Sequence, residues 1–341
     1  MRAPLLCLLS MLTLSAVLCA DIIHVPGDHD TIQKAIESAW YGDTIVVASG
    51  TYYENLDFKG KTITVESEQG AVFTTIDGLD KGSVVKFQSG EGPDTVLDGF
   101  TITNGFTQYD GGGILCDNYS SPLITHNTIT ANASARGAGI FCTLGSSPSI
   151  EDNVITGNVA VHNGAGVFCE LSGALVVTGN TITSNRGNEG AGICCIDSIS
   201  ATITDNTISH NISDQEGGAV YLENVLSASM SSNLISDNVA TLKGGAVCCV
   251  DSSLAITEDE MLANEGSQGG AVFAVNSTLT LSSCTISANT SPIGSAVAVR
   301  LSGEVTITGC TFIQNLSGAK EDSTSNSCLY FNDCESVQVD E

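Results

Sequence analysis

The sequence predicts an all-β fold, a parallel β-helix (solenoid) with an N-terminal capping helix, and three observations carry that prediction. The tetrapeptide Gly-small-small-aliphatic recurs at 111–114, 137–140, 164–167, 190–193, 217–220, 244–247, 269–272 and 294–297, at intervals of 25 to 27 residues. A second marker, aliphatic-x-x-Asn, runs in phase with it at Ile129/Asn132, Ile155/Asn158, Ile182/Asn185, Ile208/Asn211, Ile235/Asn238, Met261/Asn264, Ile286/Asn289 and Phe312/Asn315. The composition suits stacked aliphatic coils, since 341 residues include 36 Gly and 42% hydrophobic residues but only 5% aromatics. A unit this short cannot enclose a core alone, so it must stack strand beside like strand, about 4.8 Å apart. About ten or eleven coils then make one domain roughly 50 Å long.

The elements follow in order. Residues 1–20 carry one Arg, an apolar run from Leu5 to Leu18 and a small residue at Ala20, the layout of a secretory signal peptide. No later apolar run is long enough to span a bilayer. Residues 21–110 supply the cap helix and the opening coils. The helix is expected over 31–39, with Ile32, Ala35, Ile36 and Ala39 on one face and Asp30 as N-cap. Strands are expected at 44–47, 62–65, 84–87 and 100–103.

Residues 111–315 form eight regular coils. The equivalents of Ile140 are all Ile or Val, and Cys142 lies on the same face, as period-two strands require. A second pair of columns contains Ile150 and Ile155 on either side of Asn153. The Asn columns read as bend residues that adopt a left-handed conformation and bond the next coil through their amides. Residues 316–341 change character: 320–327 is a polar linker, and 328–339 forms a last strand or cap.

The runs Val25-Pro26, Thr31-Ile32-Gln33-Lys34-Ala35-Ile36, Gly42-Asp43-Thr44-Ile45-Val46-Val47, Gly50-Thr51-Tyr52-Tyr53-Glu54-Asn55 and Gly60-Lys61-Thr62-Ile63 resemble the opening of exported bacterial right-handed parallel β-helix proteins, the pectin-lyase-like superfamily. Leu97-Asp98-Gly99-Phe100-Thr101-Ile102-Thr103-Asn104-Gly105 and the later coils are similar to repeats of the same group, so the resemblance covers residues 22 to 315. The Gly-Gly-Ala-Val and Phe312-x-x-Asn315 elements also resemble repeats of chlamydial polymorphic outer-membrane proteins, which end in a membrane barrel that is not recognised here. The resemblance implies a right-handed helix. It does not choose among lyases with Asp-bound Ca²⁺ and an Arg or Lys base, hydrolases with clustered Asp, and surface proteins without activity.

Charge narrows the partners. With 38 acidic against 11 basic residues and a net charge of −27, the chain has no electrostatic reason to bind nucleic acid or an anionic membrane. A bare polyuronate would also be repelled, so a neutral glycan or a cationic partner fits better.

Three sets of residues are candidates for function. The most polar column, Asp110, Arg136, Asn163, Glu189, Glu216, Lys243 and Gln268, precedes the Gly marker, with His162, Arg186, Asn188, Asp214 and Gln215 nearby. It reads either as a row of solvated alternating charges or as a site for Ca²⁺ and a uronate, with Glu189 and Glu216 beside Lys243 or Arg186 as base. An acidic row through Asp117, Glu170, Asp197, Glu223 and Asp251 suggests at most loose Ca²⁺ association, with Asp197, Glu223 and Asp251 as ligands. The outward column Leu115, Phe141, Phe168, Cys194, Tyr221, Cys248, Phe273 and Ala298 is a binding stripe for sugar rings if exposed, and packing if a bend covers it. In that column Phe141, Phe168, Tyr221 and Phe273 are the candidate ligand contacts.

Two of the 13 Cys precede Asp21. Cys116, Cys142, Cys169, Cys195 and Cys249 share an inward column with Leu222, Ala274 and Val299, which reads as small buried hydrophobes. The expected disulfides are Cys284 with Cys310, at one bend position in successive coils, and Cys328 with Cys334. Together these readings describe an exported, secreted or surface solenoid that binds an extracellular glycan or a surface protein without catalysis. No cofactor is required and Ca²⁺ is optional. The alternative is a pectate-lyase-like lyase acting on a uronate-containing glycan.

Overall fold

The computed structural model describes residues 20–317 and 328–340. The signal segment other than Ala20, and the linker at 320–327, lie outside the described residues. A representative coil contributes four short strands, Ile140–Cys142, Ser149–Glu151, Val154–Thr156 and Val159–Ala160. Stacked on their equivalents they build sheets 1 to 4, with 11, 13, 11 and 5 strands respectively. Neighbouring strands run parallel.

Register follows the aliphatic columns because a slip of one residue would turn every inward side chain outward. Ile140 pairs with Val167 in sheet 1, Ile150 with Val177 in sheet 2, and Ile155 with Ile182 in sheet 3. All six are fully buried, in one core that runs the length of the stack. The inward cysteine column lies in that core: Cys116, Cys142, Cys169 and Cys195 are register partners, followed by Leu222, Cys249, Ala274 and Val299. Each buried aliphatic side chain contributes about 1.5–3 kcal/mol.

Two ladders close the corners. In the expected one, buried Asn185 accepts at Oδ1 from the N–H and Nδ2 of Asn158 at 3.0 and 3.1 Å. Its own Nδ2 donates to Ile155 O and to Asn211 Oδ1, both at 3.0 Å. The second ladder runs Asn127, Asn153, Asn180, Asn206 and Asn233 with the same pattern, then continues through Asp259, Cys284 and Cys310. One expectation needs correction. The left-handed residue is the one before each Asn, for example Ser184 (φ 58°), His210 (φ 55°) and Asp237 (φ 56°). Reversal there lets the Asn side chain turn inward while its backbone N–H faces the Oδ1 of the next coil's Asn. His126 and His210 occupy such positions and are bend residues.

The helix spans Ile32–Ser38 and buries Ile32, Ala35 and Ile36 against strands Ile22–Val25, Thr44–Val47 and Leu56–Asp57. Its N-cap is Thr31, which accepts from Lys34 N–H, whereas Asp30 pairs with the Lys34 ammonium at 2.8 Å. Glu54 accepts from the free N–H groups of Ile32 and Gln33 at 2.9 Å, and Lys61 donates to the last carbonyls, Ile36, Glu37 and Ala39, at 2.7 Å. Both ends are thus satisfied by the next coils. The tail continues the stack: Leu329–Asn332 pairs with Val297–Arg300 and Ser336–Asp340 with Glu304–Thr308.

Candidate functional site

The outward stripe of sheet 1 is not a surface. Phe141, Phe168, Tyr221 and Phe273 are only 2, 1, 5 and 1% exposed, and together with Cys194, Cys248 and Ala298 they form a second core outside the sheet. The reading of these aromatics as an exposed sugar platform is therefore corrected to packing. The cover is the bend preceding each strand. At Gly164 (φ 60°) the backbone passes so near Phe168 that an added Cβ would lie 2.5 Å from the Phe168 Cβ, so only glycine fits there.

The polar column completes that cover. The Arg136 guanidinium sits 5.4 Å from the Phe141 ring and 5.3 Å from Phe168, and the Lys243 ammonium sits 5.2 Å from Phe273. These are cation–π distances. Arg136 is held bidentately by Asp110 at 2.9 Å and by Glu170 at 2.8 Å, and Lys243 by Glu216 at 2.6 Å. Two features that read as separate columns in sequence are thus one layer, with charged heads over aromatic faces.

Among the catalytic candidates, Glu189, Glu216 and Lys243 come together in consecutive coils, where Glu189 pairs in register with Glu216 and Glu216 with Lys243. Arg186 does not join them; it projects from sheet 4 and pairs with Asp214 at 2.9 Å. Glu189 accepts from Asn163 Nδ2 at 2.8 Å. Burial first, then the charges of Glu216 and Glu223, push its carboxyl above the ordinary Glu range. Tyr221 donates to Glu223 at 3.1 Å, and burial raises its phenol.

The acidic row does not converge. Glu170 is engaged by Arg136 and Glu223 by Tyr221, while Asp197 accepts from Asn224 Nδ2 at 3.0 Å and Asp251 stands at a left-handed bend. The expectation of a Ca²⁺ shared by Asp197, Glu223 and Asp251 is not met by their placement: Asp197 and Glu223 are each engaged by a neighbour, and the three are not grouped around one point. Among the described residues no group of three or more His, Cys, Asp or Glu is placed to hold a metal.

The cysteine pairs differ from each other. Cys284 and Cys310 meet as register partners, with Cys284 N–H donating to Cys310 Sγ at 3.4 Å, and both are free thiols. Cys328 and Cys334 flank opposite ends of strand Leu329–Asn332 and are also free. The extended strand between them alone spans about 10 Å, beyond the 7 Å limit for a disulfide, so that pairing is corrected.

An exposed concavity lies on sheet 4, where sequence reasoning found only bends. Phe106, Thr107, Gln108, Ala133, Ser134, Ala135, Val159, Val161 and His162 enclose a groove of about 350 Å³. Phe106, Val159 and Val161 are 44, 50 and 68% exposed, and Tyr109 adjoins them through its carbonyl, which accepts from Ala135 N–H at 2.8 Å. A second concavity of about 400 Å³, lined by Val239, Ala240, Thr241, Glu265, Gly266, Ser267, Thr290 and Pro292, continues the same face. The sequence signal for this sheet was the apolar residue directly after the Asn marker, as in Val159 and Val239.

The chain matches the family described as "Right handed beta helix region" over residues 19–208 and 165–336. Among solved structures it is similar to pectate lyase Pel9A, at 12% identity with a TM-score of 0.42, covering 92% of this chain and 82% of that one. It is also similar to the Family 28 exopolygalacturonase of Yersinia enterocolitica, at 10% identity with a TM-score of 0.40, covering 95% and 78% respectively. No curated protein matches it. No helix among the described residues is long and apolar enough to cross a membrane. With the family match running through every coil described above, the chain belongs to the right-handed β-helix family.

Proposed function

We propose that this is an exported, non-catalytic β-helix protein that binds a neutral carbohydrate along the face of sheet 4. The observation that carries the proposal is the groove at Phe106, Val159 and Val161. Its exposed apolar faces stand beside Thr107, Gln108 and His162, and this combination suits the C–H faces and hydroxyls of a sugar. No Lys or Arg lines the groove, and the net charge of −27 disfavours a polyuronate. Export rests on the residue pattern of 1–20. A glycan array on the purified chain, with and without Ca²⁺, tests the proposal. Retention of neutral glycans, lost in Val161→Asp, supports it, and retention of proteins alone would replace the glycan with a protein partner.

The competing reading is a uronate lyase centred on Glu189, Glu216 and Lys243, favoured by the half-buried Glu189, whose carboxyl is raised by burial, beside a Lys–Glu pair. A lyase base must be free to take a proton, and the Lys243 ammonium is committed to Glu216 and to the Phe273 ring. Release of unsaturated uronates in Ca²⁺, abolished in Lys243→Ala, would establish the lyase.

A further inference from the structure

The second corner ladder ends differently from the first. Through Asn233 each rung places its Nδ2 about one hydrogen bond from the Oδ1 of the next rung, as in Asn180 to Asn206 at 3.1 Å and Asn206 to Asn233 at 3.0 Å. At its C-terminal end the same column carries Cys284 and Cys310, so two thiols occupy the positions where amides touch elsewhere. The flanking residues Thr285 and Thr311 are register partners, which sets the two cysteines one strand spacing apart. That spacing, about 4.8 Å, lies within the Cα range of a disulfide. Cys284 Sγ takes the place of the amide nitrogen, facing Ile256 O at 3.5 Å and Ser282 O at 3.3 Å, while Cys310 Sγ lies against Cys284 N.

We propose that Cys284 and Cys310 are a redox clasp, converted to an intercoil disulfide by exchange with a small-molecule or protein disulfide. Access selects this pair. Cys116, Cys142, Cys169 and Cys195 also stack, but they are fully buried on a flat strand where no oxidant reaches them. Cys194 and Cys248 are separated by the coil of Tyr221. Cys328 and Cys334 stand at opposite ends of one strand. Cys310 is partly exposed and has a thiol neighbour in the adjacent rung. The hydrogen bond from Cys284 also holds the Cys310 thiol below its ordinary range, which favours attack by the thiolate.

The exchange balances in two steps. The Cys310 thiolate attacks one sulfur of the external disulfide and expels the other half as a thiolate, leaving a mixed disulfide. Cys284 then loses its proton, its sulfur attacks Cys310 Sγ, and the second external thiolate leaves. Two protein thiols are oxidised and one external disulfide is reduced to two thiols.

The test uses the full chain incubated with oxidised glutathione, acid-quenched, alkylated under denaturing non-reducing conditions and mapped by mass spectrometry. The expected product joins the Cys284 and Cys310 peptides, two hydrogens lighter than their sum, and persists in Cys328→Ser but not in Cys310→Ser. Reduction should lower the Tm of the wild type by about 5 °C and leave that of Cys310→Ser unchanged. Full alkylation of both cysteines after oxidation, or a link from Cys310 to another thiol, overturns the proposal.

Discussion

Asp259 ends the amide run of the second ladder, following Asn233 and preceding Cys284, and replacing it with Asn should stabilise the protein in a pH-dependent way. Its Oδ1 does the work of an Asn oxygen, accepting from Asn233 N–H at 2.8 Å and Nδ2 at 3.1 Å. Its Oδ2 is buried without a partner, at the position where Asn206 and Asn233 donate from Nδ2 to Val177 O and Ile203 O. By the register of the column the matching acceptor is Met230 O. A carboxylate has nothing to donate there, and burial raises the acid from 3.8 to about 7. The folded state therefore holds the proton more tightly than the unfolded chain. Below the unfolded value both states are protonated and Asp259 costs nothing. As pH rises from there toward the folded value, stability falls by about 1.4 kcal/mol per unit, to a loss of roughly 4 kcal/mol at pH 8. Asp259→Asn removes that loss and restores the missing donor. Thermal unfolding of both proteins should show the variant higher in Tm by about 3–6 °C at pH 8 and nearly equal at pH 4. Equal Tm values at pH 8, or a difference of the same size at both pH values, would refute the reasoning.

Three other substitutions probe the frame. Asn185→Ala strands the N–H donors of Asn158 and the acceptors Ile155 O and Asn211 Oδ1, and chemical denaturation should show a loss of about 3–5 kcal/mol. Gly166→Ala puts a Cβ 2.4 Å from Gly192 O, a backbone atom that cannot yield, so about 3 kcal/mol or more should be lost by the same measurement. Phe168→Ala empties part of the second core and removes one of the rings under Arg136, which should cost about 3–5 kcal/mol while leaving glycan retention intact.

The coil was legible because two periods agree in it: alternation within a strand and 25 to 27 residues between equivalent positions. Ile129, Ile155 and Ile182 face inward in register as their column requires. The Asn markers gave the first ladder but not the placement of its bend, since φ at Ser184 is a backbone property that the Asn185 signal only accompanies. The site was less legible. Alternation correctly turns Phe141 and Phe168 away from the inner core, but it carries no information on whether the preceding bend folds over them. That outcome depends on the close approach of Gly164 to Phe168, a matter of bend conformation, and on Arg136 reaching Asp110 and Glu170 in the neighbouring coils. Sheet 4 escaped notice because two-residue strands such as Val159–Ala160 are too short to show a period.

On the proposed function, binding belongs to the exposed face of sheet 4 and not to the covered stripe of sheet 1. Isothermal titration of a neutral oligosaccharide retained on the array, against wild type, Phe106→Ala and Phe168→Ala, tests it most directly. At least a tenfold loss of affinity, about 1.4 kcal/mol, is expected for Phe106→Ala, with wild-type affinity for folded Phe168→Ala. Unchanged binding in Phe106→Ala, or loss only in Phe168→Ala, would contradict it.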